Sequence, residues 1–177
     1  MSARRSPLEP VEEPLTSEAR AVLDAWAPGT ALETTPLLFR LLANHPDLMG
    51  RLRPLMAGLL VKGQLSARQR ELLILRTTAL CGADVEFEAH ASTAGDVGID
   101  PALIAQLKSV PSGSWSEGIE DDLLRAADDL YVHRGLGRDR LEALGAYLAP
   151  AAIVETLALC GAYALLSSVL NSYHEGR

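Results

Sequence analysis

The sequence predicts an all-α protein, and three observations lead to that prediction. Apolar residues recur with helical spacing, no segment alternates with period two over a useful length, and Leu and Ala dominate a composition with only 5% aromatic residues. The chain has 177 residues, of which 48% are hydrophobic, so it can bury a core and differs from a disordered composition. We therefore expect about eight or nine helices and no strand.

The first third of the chain contains a lead-in and three predicted helices. Residues 1–15 are rich in proline and acids and read as a flexible or surface-draped segment, whereas residues 16–177 read as a single helical domain. Thr16 and Ser17 are capping residues before the first helix, and Pro36 takes the first position of the second. In the third helix Pro54 marks a kink or a start. The three segments are "TSEARAVLDAWA", "TPLLFRLLANH" and "HPDLMGRLRPLMAGLLVKG".

The central third contains two helices that follow each other closely. "LSARQRELLILRTTALCG" opens with Ser66 and Gln69 at the spacing of a capping box, and it then becomes apolar on nearly all sides, which predicts burial on most faces. "DVEFEAHASTAGDVG" follows, with Asp84 as the expected N-cap and a glycine at its end. Phe87, Ala91 and Ala94 form its expected packing stripe.

The last third contains four predicted helices and one loop, "PSGSW", at residues 111–115. The helices are "DPALIAQLKS", "SEGIEDDLLRAADDLYVH", "GRDRLEALGAYL" and "APAAIVETLALCGAYALLSSVLNSYHE". The last one is long and apolar, but Glu155 and the Ser167–Ser168 pair interrupt it, which favours a core or interface helix over a membrane span. Because a monomer would struggle to bury this helix, it suggests self-association; a deeply buried central helix is the alternative.

Charge and cysteine content exclude some classes of protein. The net charge is -7 and no cluster of Lys and Arg exists, so nucleic acid is a poor partner. The two cysteines, Cys81 and Cys160, lie far apart in apolar segments, which is typical of buried thiols in a reducing compartment. The N-terminal segment has no apolar signal region. We therefore expect a cytoplasmic protein.

Glu86 and His90 stand one turn apart on the same face of a predicted helix. They are a solvated surface pair, a metal site or an acid–base pair. A metal ranks lowest, because one Glu and one His are too few ligands and no second His stands near in the sequence. From the spacing alone a surface pair is favoured over an acid–base pair, in which the carboxylate orients the imidazole.

Glu71 and Arg76 interrupt the buried helix that precedes this pair. Glu71 suits the positive N-terminal end of its helix. Arg76 has two interpretations, because burial of a charge is costly unless it is paired. It pairs with an acid of the next helix, or it holds a substrate carboxylate through two hydrogen bonds.

The run from Leu65 to Ile99 resembles the carboxymuconolactone decarboxylase family, which includes the alkylhydroperoxidase D (AhpD)-like proteins. The matching features are the "E-L-x-I-L-R" helix from Glu71 to Arg76, the Glu86-x-x-x-His90 turn and the glycine that ends the helix after it. The C-terminal "IVETLALCGAYALLSSVLN" looks like the closing helix of longer members. The resemblance covers most of the chain from about residue 35.

The resemblance implies an AhpD-like bundle of about eight helices that assembles into homo-oligomers: dimers, trimers or hexamers. It also implies a pocket near the motif, lined in part across subunits. Two chemistries are known in the family. One is decarboxylation of a carboxylated lactone without a cofactor. The other is peroxide reduction through a Cys-x-x-Cys pair that a Glu and a His assist.

The sequence departs from the peroxidase pattern at both cysteine positions. Those positions correspond to Ala83 and Glu86, and Cys81 has no partner at the spacing of the motif. A thiol peroxidase needs a nucleophilic thiolate and usually a resolving thiol. Disulfide-based peroxidase activity is therefore disfavoured.

The decarboxylase branch remains, with a small carboxylated lactone or keto acid as substrate. His90 would donate a proton or stabilise charge, Glu86 would orient it, Glu71 would assist, and Arg76 would bind a carboxylate. No cofactor, metal, nucleic acid or membrane is expected. Two alternatives remain open: an AhpD-like antioxidant protein with weak or no thiol peroxidase activity, and a non-catalytic homo-oligomer that binds a small hydrophobic ligand.

Overall fold

The computed structural model describes residues 7–109 and 118–173, and over these ranges the chain is helical without a strand. The α-helices of the described residues are α1 (Ser17–Trp26), α2 (Leu37–Leu42), α3 (Pro46–Val61), α4 (Ala67–Leu80), α5 (Asp84–Ala94), α6 (Pro101–Ser109), α7 (Ile119–His133), α8 (Arg138–Gly145) and α9 (Pro150–Asn171). Single 3-10 turns lie at Leu32–Thr34 and Gly95–Val97. The all-α prediction is confirmed. The loop predicted at 111–115 falls outside the described residues.

Side-chain caps start several helices as the sequence predicts. Ser66 and the side chain of Gln69 form both hydrogen bonds of a capping box at the start of α4. Thr16 Oγ1 accepts a hydrogen bond of 3.2 Å from the backbone N–H of Ala19 at the start of α1. Asp100 Oδ1 likewise accepts one of 3.0 Å from the N–H of Leu103 in α6. These contacts satisfy backbone N–H groups that the first turn of a helix leaves without an intrahelical acceptor.

Two details differ from the predictions, and one of two alternatives at Pro54 is excluded. Pro36 is the N-cap of α2 and not its first helical residue. Asp84 is the first residue of α5, and Ala83 takes the N-cap position. The reason is that the N–H of Ala83 is already bonded to the carbonyl of Thr78 at 2.9 Å, which ties this position to the end of α4. Pro54 lies inside α3, so that helix does not begin there.

The chain divides into two compact units. The first consists of the chain up to Ala57 together with the residues from Ser168 onward. In this unit Trp26 contacts the ring of Phe39 at a centroid distance of 5.0 Å. Its indole N–H donates to the carbonyl of Met49 at 3.2 Å. The N–H of Val11 donates to the carbonyl of Arg40 at 3.1 Å, so part of the predicted lead-in is hydrogen-bonded to α2. The single-domain assignment stays a prediction.

The second unit runs from Gly58 to Ser167, and α4 is the centre of its core. The four residues from Leu72 to Leu75 have no exposed surface, as the apolar run predicts. One buried cluster joins α4 to its neighbours in this unit: Leu72, Leu75, Phe87, Ala94, Ile99, Leu107 and Leu124. Phe87 and Ala94 belong to this core and Ala91 packs against it, so the predicted packing stripe of α5 is confirmed. Burial of these side chains holds α5 and α6 against α4.

Helix α9 is long and apolar enough to cross a membrane by length and composition, and 39% of its most apolar window is buried among the described residues. Core helices of soluble proteins share this length and composition, so these two properties alone do not indicate a membrane span. Glu155 in α9 accepts backbone hydrogen bonds from Gln64 N–H at 2.6 Å and Leu65 N–H at 3.2 Å. This carboxylate thereby binds the turn before α4. The expectation that α9 does not cross a membrane stays a prediction.

Candidate functional site

A tight turn between α4 and α5 sets the positions of Glu71, Glu86 and His90. Gly82 has a left-handed φ of 67°, which glycine adopts without strain. Its N–H bonds the carbonyl of Ala79 at 3.1 Å, and the N–H of Ala83 bonds the carbonyl of Thr78 at 2.9 Å. This pair of bonds is a Schellman motif. It reverses the chain so that α5 packs back along α4 and its polar face meets Glu71.

His90 is held between two carboxylates and a tyrosine. Its Nδ1 lies 2.8 Å from Glu71 Oε2, a hydrogen-bond distance. Its Nε2 lies 3.1 Å from the hydroxyl of Tyr163 and 3.6 Å from Glu86 Oε1. The rings of His90 and Tyr163 meet edge to face at 81° with centroids 5.2 Å apart. Four side chains from α4, α5 and α9 therefore form one cluster, which we call the His90 cluster.

The His90 cluster satisfies either protonation state of the imidazole. Glu71 accepts the Nδ1 hydrogen in both states, because a carboxylate is an acceptor only. When Nε2 is protonated it donates to the Tyr163 hydroxyl oxygen. When Nε2 is neutral the same hydroxyl donates to it. His90 can gain or lose a proton at Nε2 without losing a hydrogen bond, which suits a group that transfers protons.

The surroundings hold His90 in its charged form near neutral pH. Burial alone would lower the pKa of the imidazole, but the hydrogen bonds and charges of Glu71 and then Glu86 outweigh it and raise that pKa to about 9. Burial, with the two carboxylates, also raises the pKa of the Tyr163 hydroxyl, which therefore stays uncharged. The side chains of His90, Glu71 and Glu86 stay 19%, 20% and 14% exposed. The cluster is therefore accessible from water.

Arg76 is not part of this cluster. Its Nε donates to Asp128 Oδ1 at 2.6 Å and its Nη1 donates to the carbonyl of Leu107 at 3.0 Å. The side chains of Arg76 and Asp128 are only 2% and 6% exposed. Arg76 thus pairs with an acid, which is one of the two interpretations of the sequence. The acid belongs to α7 and not to the next helix. Substrate binding by Arg76 stays a prediction, and its burial gives that role no support.

Both cysteines are thiols, and both line a single cavity of about 430 Å³. Burial raises the pKa of Cys160 to about 11. Burial also raises the pKa of Cys81, although Ser167 and the charge of Arg134 oppose it. Neither thiol is activated as a nucleophile, since reactive cysteines have lowered pKa values. None of the four side chains of the His90 cluster lines this cavity.

The structure thus brings three of the four predicted site residues together and separates Arg76 from them. The closer carboxylate is Glu71, whereas the sequence had assigned the orienting role to Glu86. Tyr163 was missed, because it lies 73 residues from His90 and reads as one more core residue of α9. Its signal is a polar hydroxyl within an apolar helix, which must find a hydrogen-bond partner when buried. Within the described ranges no three His, Cys, Asp or Glu side chains are grouped to hold a metal ion.

A comparison with solved structures identifies the fold. The chain is similar to the crystal structure of a protein of unknown function from Agrobacterium tumefaciens, which has been suggested to be the antioxidant defence protein AhpD. The TM-score is 0.65 at 18% sequence identity, over 77% of this chain and 96% of that one. This protein has the AhpD-like helical fold. The predicted fold is confirmed.

The similarity establishes the fold and leaves the reaction open. No protein-family model matches the sequence, and no curated protein matches it. At 18% identity the suggested role of the Agrobacterium protein applies to that protein alone. A shared fold supports many reactions, so the function of this chain rests on the side chains of its own site.

Proposed function

We propose that this protein is an acid–base enzyme without a cofactor, and that it decarboxylates a small carboxylated lactone or keto acid. The observation that carries the proposal is the His90 cluster. A protonated imidazole is hydrogen-bonded to Glu71 on one side and faces Tyr163 and Glu86 on the other, at a partly exposed position. The resemblance of the "E-L-x-I-L-R" and Glu86-x-x-x-His90 segments to the decarboxylase family supports the same reaction.

In the proposed reaction His90 is the proton donor. The bond between the substrate carbon and its carboxylate breaks, carbon dioxide leaves, and the electron pair is delocalised onto the neighbouring carbonyl as an enolate. The Nε2–H of His90 then protonates the carbanion carbon, and water returns a proton to His90. A pKa of about 9 keeps His90 protonated at neutral pH, as a general acid requires.

The remaining members of the cluster have separate roles in the proposal. Glu71 fixes the ring orientation and maintains the charge on His90 through the 2.8 Å contact at Nδ1. Tyr163 is a positioning residue, because it is only 2% exposed and contacts Nε2 from the protein interior. We therefore place the substrate on the Glu86 side of Nε2. There the carboxylate of Glu86 repels the substrate carboxylate, and this repulsion disappears as carbon dioxide forms.

The test is release of carbon dioxide from a panel of carboxylated lactones and β-keto acids. His90→Gln should lower kcat by about 100-fold or more, because general acid catalysis contributes at least that much. Unchanged release in His90→Gln would refute the role of His90. Glu88→Gln is the matched control, since Glu88 is an exposed carboxylate on α5 that pairs with Lys108 at 2.8 Å.

The pH dependence of kcat gives a second, independent readout. A general acid loses activity as it deprotonates, so the rate should fall above a pH of about 9. Glu71→Gln removes a carboxylate that raises the pKa of His90, and the falling limb should move to lower pH. Glu88→Gln should leave the limb in place. A limb that does not move in Glu71→Gln would contradict the assignment of His90 as the acid.

A thiol-based antioxidant activity is the second candidate, and one observation favours it. Cys81 and Cys160 line the same cavity although 79 positions separate them in the sequence. The raised pKa values of both thiols oppose this activity. Peroxide consumption with a dithiol reductant tests it: a rate lost in Cys81→Ser but kept in His90→Gln would favour the antioxidant function over decarboxylation.

A further inference from the structure

The cavity that contains the cysteines has a regular construction. On α7 the lining residues Ala127, Leu130 and Tyr131 follow helical spacing along one face, and Arg134 follows directly after the helix in a left-handed conformation. On α9 a second stripe, from Leu157 through Cys160 and Gly161 to Ala164, has the same spacing. Thr77 of α4 and Cys81, the C-cap of that helix, line it as well. All these residues belong to the second unit, so the cavity lies within one compact body.

The volume and lining of this cavity are those of a small-molecule site. It measures about 430 Å³ and its lining is mostly apolar. Ligand pockets fall in the range of about 300–1,000 Å³ and combine an apolar wall with a few polar groups. Liquid water occupies roughly 30 Å³ for each oxygen atom. At a similar volume for each non-hydrogen atom, this cavity holds a molecule of about ten to fourteen non-hydrogen atoms.

Among the described residues, Arg134 is the one ionised side chain in the lining. Its guanidinium lies over the ring of Tyr131 at 5.7 Å from the centroid, at the rim of the cavity. Within the described ranges it forms no ion pair with a carboxylate, whereas Arg68, Arg125 and Arg140 each do. Its charge lowers the pKa of Cys81, against the larger effect of burial, so the guanidinium acts on the interior of the cavity. In the part of the chain that the structure describes, no acidic side chain lines the cavity.

We infer that this cavity is a binding site, separate from the His90 cluster, for a small apolar monocarboxylate. The carboxylate pairs with Arg134 at the rim, and the hydrocarbon body lies between the α7 and α9 stripes. Charge decides the class of ligand. An amine would place a second cation beside Arg134, and an alcohol would fill the cavity but leave the guanidinium without an anion. A planar guanidinium matches a carboxylate with two hydrogen bonds.

Isothermal titration with decanoate tests the site, with decanol as the neutral comparison and decylamine as the cationic one. Decanoate should bind more tightly than either of the others. Arg134→Gln keeps the side-chain stem and removes the charge, so it should weaken decanoate binding about tenfold or more and leave decanol unchanged. Arg134→Lys should retain part of the affinity. Arg138→Gln removes an exposed charge four residues after Arg134 and should leave the affinity for decanoate unchanged.

A second variant fills the cavity without removing the charge. Gly161 lines the cavity and a Cβ there would meet no atom within 4 Å, so Gly161→Leu adds a side chain to the cavity wall without a clash at Cβ. This variant should abolish binding of both decanoate and decanol. Gly145→Leu is the control, because Gly145 has the same open surroundings and does not line the cavity. Circular dichroism confirms that each variant is folded before titration.

The His90→Gln variant separates this site from the proposed active site. Decanoate binding that survives in His90→Gln and is lost in Gly161→Leu establishes the cavity as the site, whether or not the protein releases carbon dioxide. Decanoate binding that is lost in His90→Gln, or that is equal in wild type and Arg134→Gln, would overturn the proposal. Absence of decanoate binding to the wild-type protein would overturn it as well.

Discussion

Glu71 and Arg76 lie on the same helix, and each contacts an ionisable side chain of a neighbouring helix, but the two pairs differ in their access to water. Arg76 and Asp128 are 2% and 6% exposed. Glu71 and His90 are 20% and 19% exposed. The first pair cannot exchange protons with solvent without opening the core, whereas the second can. Burial therefore makes one pair a structural element and leaves the other available for chemistry.

The comparison also shows two ways to satisfy a charge. The guanidinium of Arg76 binds one carboxylate and one backbone carbonyl, which are fixed acceptors. The imidazole of His90 contacts groups on both ring nitrogens, and the Tyr163 hydroxyl reverses its role when Nε2 changes protonation. A fixed network stabilises one charge state. The His90 cluster accommodates two.

The largest expected effect on stability comes from breaking the buried pair. Arg76→Met should lower the free energy of unfolding by about 3–5 kcal/mol, because it leaves the Asp128 carboxylate buried without this cation. Urea denaturation measures the change. The double variant Arg76→Met/Asp128→Leu should recover much of the loss, since two apolar side chains replace the ion pair. A single variant as stable as the wild type would contradict the structural role.

The His90 cluster should make stability fall as pH rises. The pKa of His90 is about 9 in the folded protein and near 6.5 when unfolded. The stabilisation is complete below pH 6.5 and is lost as pH rises through about 9, because between these values the folded state holds a proton that the unfolded state releases. The loss amounts to about 3 kcal/mol.

Urea denaturation at several pH values between 6.5 and 8.5 measures this slope. Cys81 and Cys160 add little to the slope over most of this window, because thiols titrate at about pH 8.5 in the unfolded state and burial raises their pKa values in the folded state. His90→Gln should remove most of the slope, and Glu88→Gln should retain it. A wild-type protein whose stability does not change across this window would show that His90 is not held in its charged form.

The two carboxylates should differ in their effect on His90. Both Glu71→Gln and Glu86→Gln should move the pKa of His90 down toward its ordinary value, and Glu71→Gln should move it further, because Glu71 lies at 2.8 Å and Glu86 at 3.6 Å. A proton NMR titration of the imidazole resonances gives these values, with His90→Gln to assign the signal. A larger fall of the His90 pKa in Glu86→Gln than in Glu71→Gln would indicate that Glu86 is the principal partner, and equal falls would contradict the expected difference.

The smallest expected effect concerns the Tyr163 hydroxyl. Tyr163→Phe removes one hydrogen bond to Nε2 and keeps the ring contact, so it should lower the free energy of unfolding by about 1 kcal/mol. The pKa of His90 should stay near 9, because both carboxylates remain. The same urea and NMR measurements apply. A pKa that falls markedly in Tyr163→Phe would show that the hydroxyl supports the charge of His90 and does more than position the ring.

Local sequence patterns were enough to predict the elements of the fold. Helical periodicity, the capping box at Ser66 and Asp100 before Pro101 are set by residues within a few positions of each other, and the structure contains them. The shared face of Glu86 and His90 is equally local, since four residues make about one turn of helix. The starts of α2 and α5 differ by one residue from the prediction; at α5 the bond from the Ala83 N–H to the Thr78 carbonyl fixes the helix start, and no local pattern of α5 contains that bond.

What the sequence determined by itself was an all-helical fold, the capped starts of α1, α4 and α6, and one Glu–His pair. Tertiary structure decided which charges meet. Glu71 comes from 19 residues before His90, Tyr163 from 73 residues after it, and Asp128 from 52 residues after Arg76. Helical spacing carries no information over such separations, because packing of one helix on another sets them. The same packing placed Arg76 in the buried core and left Glu71 at a site that water reaches.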